Sequence, residues 1–207
     1  MSLLWVMAIS FVFILIMTLT DVWFLIRQGL HYCALLWQKP PQDIFEPFVL
    51  RNLVLTTDLD YMLHMNNARY LREANFATCT FLTRYGLAAA LKTLGGSAVL
   101  SASCSRHRRP LRLLERFNIR TRILGWDDHA FYLEQLFRHP NGFVVAVVLC
   151  RHHITGTTPA ALIAFIAQNK VESPELPEEV KHWLKYNEAN SQRLRAESNN
   201  QKNEKEQ

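Results

Sequence analysis

The sequence predicts an α+β domain, an antiparallel five-stranded sheet with one long helix laid across a face. Two observations carry this. Apolar residues recur at helical spacing from Tyr70 to Tyr85, and one strand-like segment stands before that helix while four stand after it. The 207 residues, 49% of them hydrophobic, suffice for one such domain and some flanking segments.

The N-terminal segment comes first. Leu3 to Thr20 carries no charge, and Val22 to Ile26 extends the apolar run beyond Asp21. A bilayer core takes about 20 apolar residues as a helix. No basic residue precedes the run and no small-residue cleavage site follows it, so residues 1–26 read as an uncleaved anchor, with a cleaved signal segment as the alternative. Arg27 and Lys39 lie on the C-terminal side, which puts the rest of the chain in the cytosol. The expected location is the endoplasmic reticulum membrane, or, with cleavage, secretion. Residues 27–47 read as a linker, because Pro40 and Pro41 stop any helix.

The domain spans residues 45–172. Phe48 to Thr57 is rich in Val and Leu and reads as a strand. The helix after Asn67 ends before Gly86, with Arg69, Arg72, Glu73 and Arg84 on its polar side. Ala98 to Arg108 is a candidate strand. In Phe117 to Leu124 apolar and polar residues alternate, as in a half-buried strand. His129 to Arg138 follows, then a Pro140-Asn141-Gly142 turn, then the nearly continuous apolar run Phe143 to Ile154, which suits a central strand. A short helix is expected from Pro159 to Gln168, and a C-terminal helix over residues 173–198, with proline at its first turn near Pro177. The tail, 199–207, is polar and reads as disordered.

Between the first strand and the helix lies the densest polar cluster: Asp58, Asp60, His64, Asn66 and Asn67. Read as a cap, Asn66 or Asn67 takes up orphan helix amides and the aspartates make a turn. Read as chemistry, the helix start offers N–H groups to an oxyanion. Asp60 then serves as general base or nucleophile, and His64 assists proton transfer. Carboxylate, imidazole and helix-start amides suit hydrolysis of an activated acyl group.

The spacing of Asp58, Asp60, His64, Asn66, Asn67 and Tyr70 resembles the D-x-D-x-x-G-H-V-N-N-x-x-Y signature of hotdog-fold acyl thioesterases, the 4-hydroxybenzoyl-CoA and acyl-ACP thioesterase group. The resemblance implies a sheet wrapped around the long helix, a homodimer, and acyl-thioester sites near the subunit interface. It implies Asp60 as catalytic carboxylate, His64 as catalytic in some members, and the amide at Asn67 as the carbonyl-polarising helix start. Asp58 is then structural. The chain departs from the signature at Leu63, where the family has glycine, and Met62 stands where plant acyl-ACP enzymes carry a catalytic asparagine.

The formal charge of +5 fits an anionic partner. Arg106, Arg108 and Arg109 lie in the richest arginine cluster and suit the phosphates of coenzyme A, although a solvated basic turn gives the same pattern. No zinc-finger or RNP-type motif is present, so no nucleic-acid partner is expected. Cys33, Cys79, Cys104 and Cys150 are widely spaced and read as buried free thiols. His152 and His153 point to opposite faces of a strand, and no metal and no cofactor are expected. The function expected is hydrolysis of acyl-CoA or a related thioester at a membrane. A catalytically inactive hotdog protein that binds lipid or acyl-CoA, or acts as a scaffold, is the alternative.

Overall fold

The computed structural model describes residues 3–19, 22–37, 41 and 43–205. It divides into two units, Met1–Pro40 and Pro41–Gln207.

The first unit holds α1 (Leu3–Leu19) and α2 (Val22–Leu36). The expected anchor run is thus split between two helices, on either side of residues 20 and 21, which lie outside the described residues. α1 has 17 residues, and its side chains from Leu3 to Met17 are exposed. Among the described residues no helix is long and apolar enough to cross a membrane. Helix α2 takes the end of the expected anchor and runs on into residues 27–36, expected to be linker. Nothing in Val22–Leu36 breaks a helix, and the prolines that do so come only at 40 and 41.

The second unit contains β1 (Phe48–Leu53), a 3₁₀ turn (Thr56–Asp58), α3 (Asn67–Arg84), α4 (Leu87–Thr93), β2 (Ser97–His107), β3 (Arg116–Trp126), β4 (Ala130–Arg138), β5 (Val144–Thr155), α5 (Pro159–Ala167) and α6 (Glu178–Lys205). The five strands form one antiparallel sheet in the order β1-β3-β4-β5-β2. This is the predicted α+β architecture, with α3 against one face.

Burial alternates along β3 and β5 as the period of two demands. The buried side of β3, Phe117, Ile119, Thr121 and Ile123, meets the buried side of α3, including Tyr70, Ala74, Ala77 and Phe81. A buried amide ties helix to sheet: Gln135 Nε2 donates to Ala74 O at 2.6 Å and to Thr78 Oγ1 at 2.8 Å. Each such bond satisfies groups that would otherwise be costly to bury.

The outer face is covered by the start of α6. Val180 packs with Leu124, Ala130 and Tyr132, flanked by Trp183 and Leu184. The segment before α6 crosses so close to β3 that a Cβ at residue 125 would meet Pro174 O and Ser173 Oγ at 2.9 Å, which is why glycine stands there. Helix α6 continues to Lys205, through the segment expected to be disordered. Side-chain pairs along it favour helix, among them Gln192 to Glu188 at 2.9 Å and Arg193 to Glu197 at 2.9 Å. All four cysteines are free as expected, but only Cys150 is buried; Cys33, Cys79 and Cys104 are exposed.

His152 shows the cost of an interior strand. Its residue is 6% exposed, and its Nε2 is buried without a hydrogen-bond partner. Burial pulls the imidazole from 6.5 down to about 4. The folded protein therefore holds His152 neutral in a range where the unfolded chain takes up a proton. The stability this residue allows is fully present above pH 6.5 and is lost as pH falls toward 4. The loss is expected to reach about 3 kcal/mol at the low end. Urea unfolding at successive pH values measures it, and His152→Leu should flatten that part of the profile.

Candidate active site

The loop from Asp58 to Asn66 is folded back on itself by backbone bonds. Asp60 N donates to His64 O at 2.9 Å, Leu63 N to Asp60 O at 3.0 Å, and Asn66 N to Asp58 O at 2.8 Å. Leu59 and Met65 form a bridge. Aspartate and histidine four residues apart are thereby held at the two arms of one turn, immediately before α3.

Asp58 is the foundation of this turn, as its expected structural role requires. It is buried, its Oδ2 accepts from Leu55 N at 3.0 Å, and its Oδ1 pairs with Arg72 at 2.5 Å. Arg72 also reaches Glu73 Oε1 at 3.1 Å, and Glu73 Oε2 accepts from Asn52 Nδ2 at 2.9 Å. This network fixes β1, the loop and α3 to each other. Charge patterning along the helix puts Arg72 and Glu73 on its polar outer side. Glu73 is in fact 1% exposed. A guanidinium and an amide meet this buried carboxylate, which makes its burial tolerable.

Asp60 is half-buried. Its Oδ1 accepts from Met62 N at 2.9 Å and, more weakly, from His64 N at 3.4 Å. Among the described residues its Oδ2 has no hydrogen-bond partner, and no side-chain bond joins Asp60 to His64.

The cap of α3 is Asn66, whose side chain accepts from Ala68 N at 2.9 Å. Arg69 N donates to Asn66 O at 2.8 Å. Asn67 is the first helical residue and is exposed. Its backbone N–H has no acceptor among the described residues. Capping and availability coexist: Asn66 satisfies the second and third amides and leaves the first. Behind them Tyr70 is buried against Phe137, at 5.2 Å between ring centres, and His107, at 4.7 Å. Burial pushes its phenol up to about 12, so it stays protonated.

Leu63 explains the departure from glycine in geometric terms. Its φ is +60°, in the left-handed region that suits glycine, and its side chain is 71% exposed. The leucine strains the turn without filling it. Leu63→Gly is expected to stabilise by about 0.5–1 kcal/mol, the relief of left-handed strain less the entropy glycine adds. A shift in the urea midpoint measures this; a loss of stability would contradict the strain argument.

The connection from Arg108 to Glu115 faces the Asp60 turn. His64 pairs with Arg112 as a bridge, and Met65 N donates to Leu111 O at 2.8 Å. Of the arginines suggested for phosphate, Arg106 is exposed on β2. Arg108 donates to Val144 O at 3.1 Å and lies 4.8 Å above the Phe143 ring. Arg109 is paired with Glu115, which His139 also approaches at 3.3 Å. An open cavity of about 580 Å³ is lined by Arg109, Pro110, Arg112, Leu113, Leu114 and Glu115. A cleft of about 640 Å³ lies elsewhere, between α6 and the outer sheet face, and includes none of the loop residues. Among the described residues no three His, Cys, Asp or Glu are grouped to hold a metal.

The sequence model of the thioesterase-like superfamily matches residues 54–184. Protein THEM6 of Xenopus laevis is 48% identical over 193 residues, covering 91% of this chain and 93% of its own. The chain belongs to the THEM6 family of the thioesterase-like superfamily. THEM6 of Danio rerio is 42% identical over 179 residues, 86% of this chain and 89% of that protein. Solved structures agree on the hotdog fold. YbaW of Escherichia coli, a probable thioesterase, superposes with a TM-score of 0.53 at 22% identity, over 59% of this chain and 98% of that one. SAV2348 of Staphylococcus aureus, solved in complex with CoA, gives 0.53 at 17% identity, over 68% and 95%. The superfamily match, residues 54–184, includes the whole Asp58–Tyr70 segment.

Proposed function

We propose that this THEM6-family protein hydrolyses an acyl thioester, with acyl-CoA as the substrate class. The observation that carries this is the Asn67 N–H, left without an acceptor among the described residues on the turn that holds Asp60 and His64. The carbonyl oxygen of the thioester accepts from that N–H. Asp60, through its unbonded Oδ2, takes a proton from water, whose oxygen attacks the carbonyl carbon. The C–S bond then breaks, the sulfur leaves as a thiol with a proton returned to it, and the acyl group leaves as a carboxylic acid. His64 stands on the opposite arm of the turn to relay a proton. The cavity at Arg109–Glu115 offers leucines for the apolar part of the substrate, with Arg106 and Arg108 nearby for its phosphates. The space between α3 and the sheet is filled by Tyr70, Phe117 and Phe137, so the acyl chain lies outside it.

A non-hydrolysing acyl-binding role is favoured by one observation: Asp60 Oδ1 is already held by two backbone amides. Free-thiol release from a panel of acyl-CoAs, run with the full chain, separates the two readings. Release above the uncatalysed rate is expected.

Two assembly features belong to the same proposal. The protein forms a homodimer through β2, an 11-residue edge strand that exposes Val99 and Leu100. The N-terminal unit associates with a membrane through the uncharged, exposed surface of α1.

A further inference from the structure

We propose that the end of the sheet carrying the Asp60 turn docks on an anionic lipid bilayer. This goes beyond hydrolysis and does not depend on it. Leu53 pairs with Arg116, Arg138 with Val144, and His107 with Ala146, so connections 54–66, 108–115 and 139–143 all leave the sheet at one end. Their tips expose large apolar side chains: Tyr61 is 94% exposed, Leu63 71%, Leu114 65% and Met62 58%. Leu113 and Phe143 add to them. Singly, such residues are ordinary on a surface. Here they are brought together, because the bridge between His64 and Arg112 and the bond from Met65 to Leu111 zip the two leucine-bearing loops side by side.

The charge around them is basic. Arg106, Arg108, Arg109, Arg112 and Arg116 lie at this end. Arg106, Arg112 and Arg116 make no ion pair among the described residues. The acidic groups here are Asp58, Glu73 and Glu115, all ion-paired, and Asp60. Asp127 and Asp128 lie on the β3–β4 connection, at the opposite end. Apolar tips within a ring of arginines match a bilayer interface, where anionic headgroups meet the acyl boundary. A second copy placed end to end would instead bring these arginines against their own kind, at a like-charge cost. Docking this way would open the Asp60 turn toward lipid, which links the inference to an amphiphilic substrate.

Spin labelling tests it. In the full chain, Cys33, Cys79 and Cys104 are replaced by serine, and the buried Cys150, whose thiol burial pushes up to about 12, is left in place. Labels go on Met62→Cys and, separately, on Asp128→Cys. The chain is reconstituted in vesicles of phosphatidylcholine with or without phosphatidylserine. Collisions of each label with oxygen and with a water-soluble nickel chelate are compared. On phosphatidylserine the Met62 position should show a several-fold rise in the oxygen-to-nickel ratio, with none at Asp128. Arg106→Glu with Arg112→Glu should reduce docking by at least about fivefold per arginine, and added salt should weaken it too. Free nickel access at Met62 on phosphatidylserine vesicles overturns the proposal. So does equal shielding in both kinds of vesicle that ignores salt and the arginine changes, which is the signature of a second copy. Hydrolysis is not read in this experiment, so its failure and that of the thioesterase reading are distinct.

Discussion

Arg72→Met is expected to destabilise the protein by about 3–5 kcal/mol, measured as a fall in the urea midpoint at unchanged slope. The reasoning starts from burial. The Asp58 side chain is 3% exposed and that of Glu73 is 1% exposed, and both face the Arg72 guanidinium, at 2.5 and 3.1 Å. Methionine keeps much of the volume and removes the charge. Two carboxylates then remain in a buried site without the guanidinium that meets both of them. Arg72→Lys should recover part of the loss, because an ammonium supplies the charge but not the planar fork that reaches both partners. The consequence extends to the turn. Asp58 O receives Asn66 N and Asp58 Oδ2 receives Leu55 N, so loosening Asp58 loosens the arms that carry Asp60 and His64. A midpoint unchanged within about 0.5 kcal/mol would show that the network contributes nothing net, as some buried ion pairs do not.

How much of this was legible beforehand differs by element. Strands β3 and β4 and helix α3 announced themselves, since each has a buried face whose period the sequence repeats, and β5 did so as a continuous apolar run after a Pro-Asn-Gly turn. Helix α4 did not: Leu87–Thr93 is a short apolar run after a glycine, too brief for periodicity to separate helix from loop. Strand β1 ends at Leu53, four residues before the expected end, because Asp58 caps a 3₁₀ turn over residues whose composition still looks strand-like. The polar cluster before α3 was visible as a cluster. Its organisation was not, because charge patterning on a helix assigns Arg72 and Glu73 to solvent. Only the pairing of β1 with β3 brings Asn52 beside Glu73, and only the folded loop brings Asp58 beside Arg72. The meaning of Leu63 likewise needed a backbone angle: a leucine in place of glycine looks like an obstruction in sequence, whereas here it is a strained residue facing outward.

Asp60→Asn is expected to lower acyl-CoA hydrolysis by roughly 10²–10⁴-fold, the usual worth of a positioned base. Asparagine is nearly isosteric, and its side-chain oxygen can still accept from Met62 N and His64 N, so the turn should survive. What it loses is the basic Oδ2. The substitution therefore separates a carboxylate that holds the loop from one that also removes a proton. Stability should change by less than about 1 kcal/mol, which the urea midpoint verifies in the same preparation.

The direct trial is free-thiol release from an acyl-CoA panel by the full chain, in parallel with Asp60→Asn and with acyl-CoA binding followed on both. Turnover well above the uncatalysed rate in the native chain, collapsing in Asp60→Asn while binding persists, is the predicted result. Binding without turnover in the native chain, or equal turnover in the two, would contradict a catalytic Asp60.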